Sequence, residues 1–125
     1  MKTDLEMLQG RWRQTHYERD GVANPSDGEQ GWQPITEIRE QTFTVSISDG
    51  SVVLEGVFAL FAAEIPKAID WIDRSGSYAS DHPILAIYEL TERTFVFCAA
   101  HDGAARPTAF KTERGQVLRR MERAP

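Results

Sequence analysis

The chain of 125 residues, 41% of them hydrophobic, is sized for one domain with a real core, spanning residues 1–125. Its 14 basic and 19 acidic residues leave a formal charge of -5, which works against the phosphate attraction that nucleic-acid binding needs. No apolar run is long enough for a bilayer, Met1-Lys2-Thr3-Asp4 lacks a hydrophobic signal stretch, and Cys98 alone forms neither an internal disulfide nor a cysteine metal cluster, so a soluble, cytoplasmic protein without membrane contact is expected.

In chain order, Asp4 is placed to cap a short helical turn in which Leu5 and Leu8 share a face, ended by Gly10. From Arg11 to Arg19 the residues alternate, which puts Trp12, Gln14, His16 and Glu18 on one face of a strand and Arg13, Thr15 and Tyr17 on the other. If Trp12 points inward, Gln14 and His16 follow it. Residues 20–34 contain Asn24-Pro25, Asp27-Gly28 and Gly31 and read as a loop, with Trp32 either covering a barrel mouth or packing outside.

Thr42-Phe43-Thr44-Val45-Ser46-Ile47-Ser48 alternates strictly before Asp49-Gly50, so a two-residue hairpin is predicted. It pairs Ile47 with Val52, Val45 with Leu54 and Phe43 with Gly56. Gly56 marks a bulge or corner in the long run that follows. Residues 68–73 form the next strand, where Asp70 requires a partner such as an arginine if it is buried. Residues 84–90 and 95–100 are apolar on both faces, which implies an exterior covered by a loop or by another subunit. A last strand from about Gln116 to Arg123 alternates Val117, Arg119, Met121 and Arg123 against Leu118, Arg120 and Glu122. It has to close beside the first strand, where Arg119 or Arg120 is the candidate to stack on Trp12.

Gly10-Xaa-Trp12 after a short helix, with an arginine on a late strand, is similar to the lipocalin and wider calycin pattern. The ordered words Leu8-Gln9-Gly10-Arg11-Trp12, Ile65-Pro66-Lys67-Ala68-Ile69-Asp70, Ile84-Leu85-Ala86-Ile87-Tyr88-Glu89-Leu90, Phe95-Val96-Phe97-Cys98 and Arg106-Pro107-Thr108-Ala109-Phe110 reach nearly end to end. In them the chain resembles a family of small bacterial lipocalin-like domains of unknown function, first catalogued from planctomycete genomes. The resemblance implies an all-β fold, an up-and-down antiparallel barrel of roughly eight strands with a short N-terminal helical turn. It implies no reaction. The 19–34 loop is enlarged relative to that pattern, and Thr91-Glu92-Arg93 replaces an Asp-Gly turn, which leaves open whether Ile87 or Tyr88 looks inward.

Catalytic signatures are thin: there is no nucleophile elbow, Walker loop or dinucleotide fingerprint, and His16, His82 and His101 have no metal-site spacing. No catalytic residue, metal or cofactor is assigned. Cys98 within an apolar strand reads as an inert core thiol. The leading reading is non-catalytic binding of a small, partly apolar molecule, with Gln14, His16, Tyr88 and Phe97 in the wall and Trp32 on a lid. Gly10, Trp12, Arg119 and Arg120 then serve architecture. A second reading is a packed barrel that works through its outside, as a homo-oligomer or partner-binding module. The third is acid–base chemistry on a bound ligand, using His16 and a carboxylate.

Overall fold

The structure, a computed structural model, describes residues 2–23, 34–75, 82–101 and 103–124. Helix α1 (Asp4–Leu8) is followed by strands β1 (Gly10–Arg19), β2 (Val22–Ala23), β3 (Ile35–Arg39), β4 (Thr42–Ser46), β5 (Val52–Phe61), β6 (Ala68–Asp73), β7 (Ile84–Leu90), β8 (Thr94–Ala99) and β9 (Val117–Arg123). Every neighbouring pair is antiparallel, and β9 returns to pair with β1. The result is a closed eight-stranded up-and-down barrel, with β2 a two-residue extension beside the end of β1. Closure gives each barrel strand a neighbour on both sides and so leaves no free edge strand in the barrel. Among the described residues no helix is long and apolar enough to cross a membrane.

Phe43, Phe58, Ile69, Trp71, Ala86, Tyr88, Phe95, Phe97 and Met121 form one interior cluster with Trp12 and Ile38, which settles the faces of β7 and β8 that the two-faced apolar runs left open. Tyr88 therefore looks inward, facing Phe97 across the β7–β8 ladder, while Ile87 looks outward. The hairpin keeps the predicted Val45–Leu54 and Phe43–Gly56 pairs, but Ser46 opposes Val52, leaving Val53 as an extra residue. The turn is wider than Asp49-Gly50 alone. Gly50 N–H donates to the Ile47 carbonyl at 2.8 Å and Ser51 N–H to the Asp49 carboxylate at 2.8 Å, which ends the ladder before Ile47.

Gly56 neither bulges nor breaks β5. A Cβ there would come within 2.6 Å of the Phe43 ring and 2.2 Å of the Ile72 carbonyl, so the missing side chain is the space the ring occupies. Strand β3 carries Ile35 and Ile38 on opposite faces and has no apolar alternation to announce it.

One end of the barrel is plugged by α1. Thr3, one residue before Asp4, is the N-cap, in a capping box with Glu6. Leu8 is fully buried under the barrel, and Trp12 Nε1 donates to its carbonyl at 2.8 Å. The cation on Trp12 is Arg123, not Arg119 or Arg120, because the closing register sets Trp12 directly opposite Arg123. Arg123 also donates to the carbonyls of Met7 and Gln9 (2.8 Å), filling acceptors that the end of α1 leaves open, and to that of Glu92 (2.9 Å) in the β7–β8 turn. Gly10, at φ +116, is the residue whose Cβ would press against Arg123 Nη1 at 3.0 Å. Asp4 completes the seal by accepting from Tyr88 at 2.7 Å and from Lys67 at 2.9 Å.

The long connection from β8 to β9 accounts for the two-faced apolar strands. Its residues 104–112 lie as a strap on the barrel's outside. Arg106 pairs with Asp70 at 2.7 Å, Phe110 packs on the outer cluster of Ile87, Val96, Cys98 and Leu118, and Thr112 donates to Glu18 through both its hydroxyl (2.6 Å) and its N–H (3.0 Å). Asp70 thus faces outward, with the arginine partner its burial demands. The cover over β7 and β8 is the chain's own loop.

Candidate functional site

The end opposite the plug is where β1 and β8 finish and where β5 and β7 begin. Its inward side chains differ from those at the plugged end. Trp12 and Phe95 are 0% exposed beside the plug, whereas Tyr17, Trp71, Phe97 and Ala99 retain 6–7% exposure toward the other end. These side chains, with the half-buried Val45, Leu54 and Ile84 packed against the interior cluster, make up the second layer of the interior, the cup, among the described residues.

A single irregularity decides what the first strand contributes to this cup. Gln14 opposes Met121 and His16 opposes Arg120, so β1 advances two residues while β9 advances one. Thr15 is the extra residue, its hydroxyl donating to the Arg120 carbonyl at 3.3 Å. Such a bulge reverses the parity of everything after it. Trp12 and Gln14 follow the expected inward face, but His16 does not. It leaves the interior for the outer face, beside Arg120, and Tyr17 turns inward in its place.

Tyr17 is paired with Arg119, whose guanidinium carbon lies 5.0 Å from the ring centroid. Arg119 also faces Phe97 across the β8–β9 ladder, which places it beside the aromatic rings of the cup. From the far wall β6 contributes Asp73, two residues beyond Trp71 on the same face. Burial pushes the Asp73 carboxyl above the usual carboxylate range, and the charge of Arg119 only partly offsets this. Trp71 Nε1 is buried and has no hydrogen-bond partner among the described residues, in a cage of Phe43, Phe58, Phe95 and Phe97 with ring centroids 5.0–6.2 Å away. A buried donor left without an acceptor costs about 1–3 kcal/mol.

Of the residues expected in the wall, Gln14 and Phe97 are in the cup. Tyr88 is inside the barrel but at the plugged end, where its hydroxyl is committed to Asp4. Trp32 lies outside the described residues. Arg120 is exposed on the outer face. The cup residues not singled out from the pattern are Tyr17, Trp71 and Asp73. The parity of 68–73 already put Trp71 and Asp73 on one face, whereas nothing in Gln14-Thr15-His16 marks the bulge that brings in Tyr17.

Other chemistry is sparse. No group of three or more histidine, cysteine, aspartate or glutamate side chains suited to a metal occurs among the described residues. The Cys98 thiol is pushed up to about 11, by burial first and then by the charge of Glu18, which is the reverse of what a nucleophile needs. Glu18 is held low, chiefly by the Thr112 hydroxyl, and serves as the strap's anchor. Comparison with known proteins returned no matching family model, no matching curated protein and no matching solved structure.

Proposed function

We propose that this protein binds a small, partly apolar molecule in the end of its barrel opposite the plug and performs no chemistry on it. The observation that carries this reading is the change of lining along one interior. The plugged end is fully buried and aromatic, while the opposite end puts Gln14, Tyr17, Asp73 and Arg119 on inward positions beside the rings of Trp71 and Phe97. A barrel that only needed a core would favour apolar side chains there, because half-buried charges cost solvation. An apolar floor with a few convergent polar groups is the usual makeup of a small-molecule site. Membership of the lipocalin-like family resembled by the ordered sequence words, and residence in a reducing cytoplasm that keeps Cys98 a thiol, belong to the same proposal.

The reading that depends on apolar outer strands loses its motive, because residues 104–112 cover the outer cluster. The test of the binding reading is native mass spectrometry of the protein purified without denaturation, before and after solvent extraction. An adduct of a few hundred daltons at 1:1 stoichiometry supports it if extraction removes the adduct and a thermal shift restores with the extract. A protein that carries nothing, and that gains no stability from fatty acids, aromatic acids or their amides, contradicts it.

A further inference from the structure

A concavity lies on the outside of the barrel and is separate from the interior residues described above. It is a groove of about 490 Å³ between the β5–β6 connection and the strap, lined by Phe61, Ile65, Pro66, Ile87, Arg106 and Pro107 among others. This volume falls within the range of small-molecule sites. Its apolar wall is unusually open to water, with Phe61 43% and Ile65 97% exposed. At the strap side sits Arg106. All its polar contacts among the described residues run through Nη1, to Asp70 at 2.7 Å, to the Ala86 carbonyl at 2.8 Å and to the Ile69 carbonyl at 3.4 Å. Its Nε and Nη2 donors have no acceptor there.

Charge decides what those donors suit. The positive charge of Arg106 is already matched by Asp70, and Glu64 adds a second carboxylate to the lining. An anion would meet a site that is negative on balance, and an ammonium group set against the uncommitted Arg106 donors would face a like charge and no acceptor. We infer that the groove is a second binding site, taking a neutral apolar molecule that carries a carbonyl oxygen. The oxygen accepts from the uncommitted Arg106 donors while the apolar body covers Phe61, Ile65 and Pro66.

Three compounds of one shape test this: 4-phenylbutanamide, 4-phenylbutanoate and 4-phenylbutylamine, titrated into the protein with methyl-labelled isoleucine and alanine. The amide is expected to move the Ile65, Ala68 and Ile87 methyl signals saturably and to bind at least tenfold more tightly than the acid or the amine. Ile65→Asp, at a fully exposed position that leaves the fold intact, should weaken the amide about tenfold or more. Arg106→Lys, which keeps the ion pair but loses the planar fork, should erase the preference for the amide. Tightest binding by the carboxylate, absence of saturable shifts at Ile65 and Ile87, or indifference to Ile65→Asp overturns the inference. Because these methyls line the outer groove, the result is independent of the indole signal of Trp71, which reports on the cup.

Discussion

Arg123 lies over Trp12 with its guanidinium carbon 4.2 Å from the ring centroid, so the last strand holds down the side chain that opens the first. The same guanidinium caps the carbonyls at the end of α1, and Trp12 donates to Leu8 between them. Plug, first strand and last strand form one unit. Trp12→Ala should therefore cost about 3–5 kcal/mol, the usual range for emptying a large buried aromatic site. Arg123→Met, which keeps apolar contact but loses the cation and its donors, should cost about 2 kcal/mol. Urea denaturation gives both values. Amide exchange should show α1 freed first in Arg123→Met.

Asp4 predicts an acid limit for the same seal. Burial opposes its ionisation most strongly, but the hydrogen bonds from Tyr88 and Lys67 and the Lys67 charge together hold its pKa below the ordinary value. A depressed carboxyl contributes stability that is present above its unfolded pKa of about 4 and is lost as pH falls through the lower folded value. Asp4→Asn should thus be less stable than the parent by about 1 kcal/mol at pH 7, with the gap closing toward pH 3. A gap that widens on acidification would contradict the assignment.

Asp73 behaves in the opposite sense. Its folded pKa is raised by burial, so its contribution is most favourable below its unfolded pKa and is lost as pH rises through the raised folded value. Asp73→Asn should stabilise the unliganded protein at pH 7, and the advantage should disappear near pH 3. Thermal melts of the two proteins across that interval provide the comparison.

Gly56→Ala tests the aromatic packing directly. The new Cβ meets backbone at Ile72 as well as the Phe43 ring, and only the ring is able to move. Overpacking of this kind should cost about 1–3 kcal/mol. Phe43→Leu in the same background should recover part of it, measured as a double-mutant cycle.

Much of this architecture was legible as period-two alternation. Residues 68–73 and 117–123 fall on their faces as their alternation requires, and the two-faced runs at 84–90 and 95–100, whose inward face the pattern left open, have the loop cover they called for. What escaped the pattern has a common cause. A bulge leaves no residue-type mark, so Thr15 moved His16 out and Tyr17 in without warning. Which arginine meets Trp12 depends on the closing register, which is settled only when β1 and β9 pair. β3 was silent because its two isoleucines straddle the sheet. The strap is held by Arg106–Asp70 and Thr112–Glu18, contacts between residues 36 and 94 positions apart that local pattern does not reach.

The most direct test of the central proposal is an ¹⁵N-indole titration of the protein and its Arg119→Met variant with medium-chain fatty acids, aromatic acids and their amides. The account predicts that at least one compound shifts the Trp71 indole resonance saturably and leaves the Trp12 resonance, sealed at the plugged end, in place. It also predicts that Arg119→Met weakens that compound about tenfold or more while the fold persists. Binding that shifts Trp12 rather than Trp71, or a Trp71 signal that answers to none of these compounds, would contradict it.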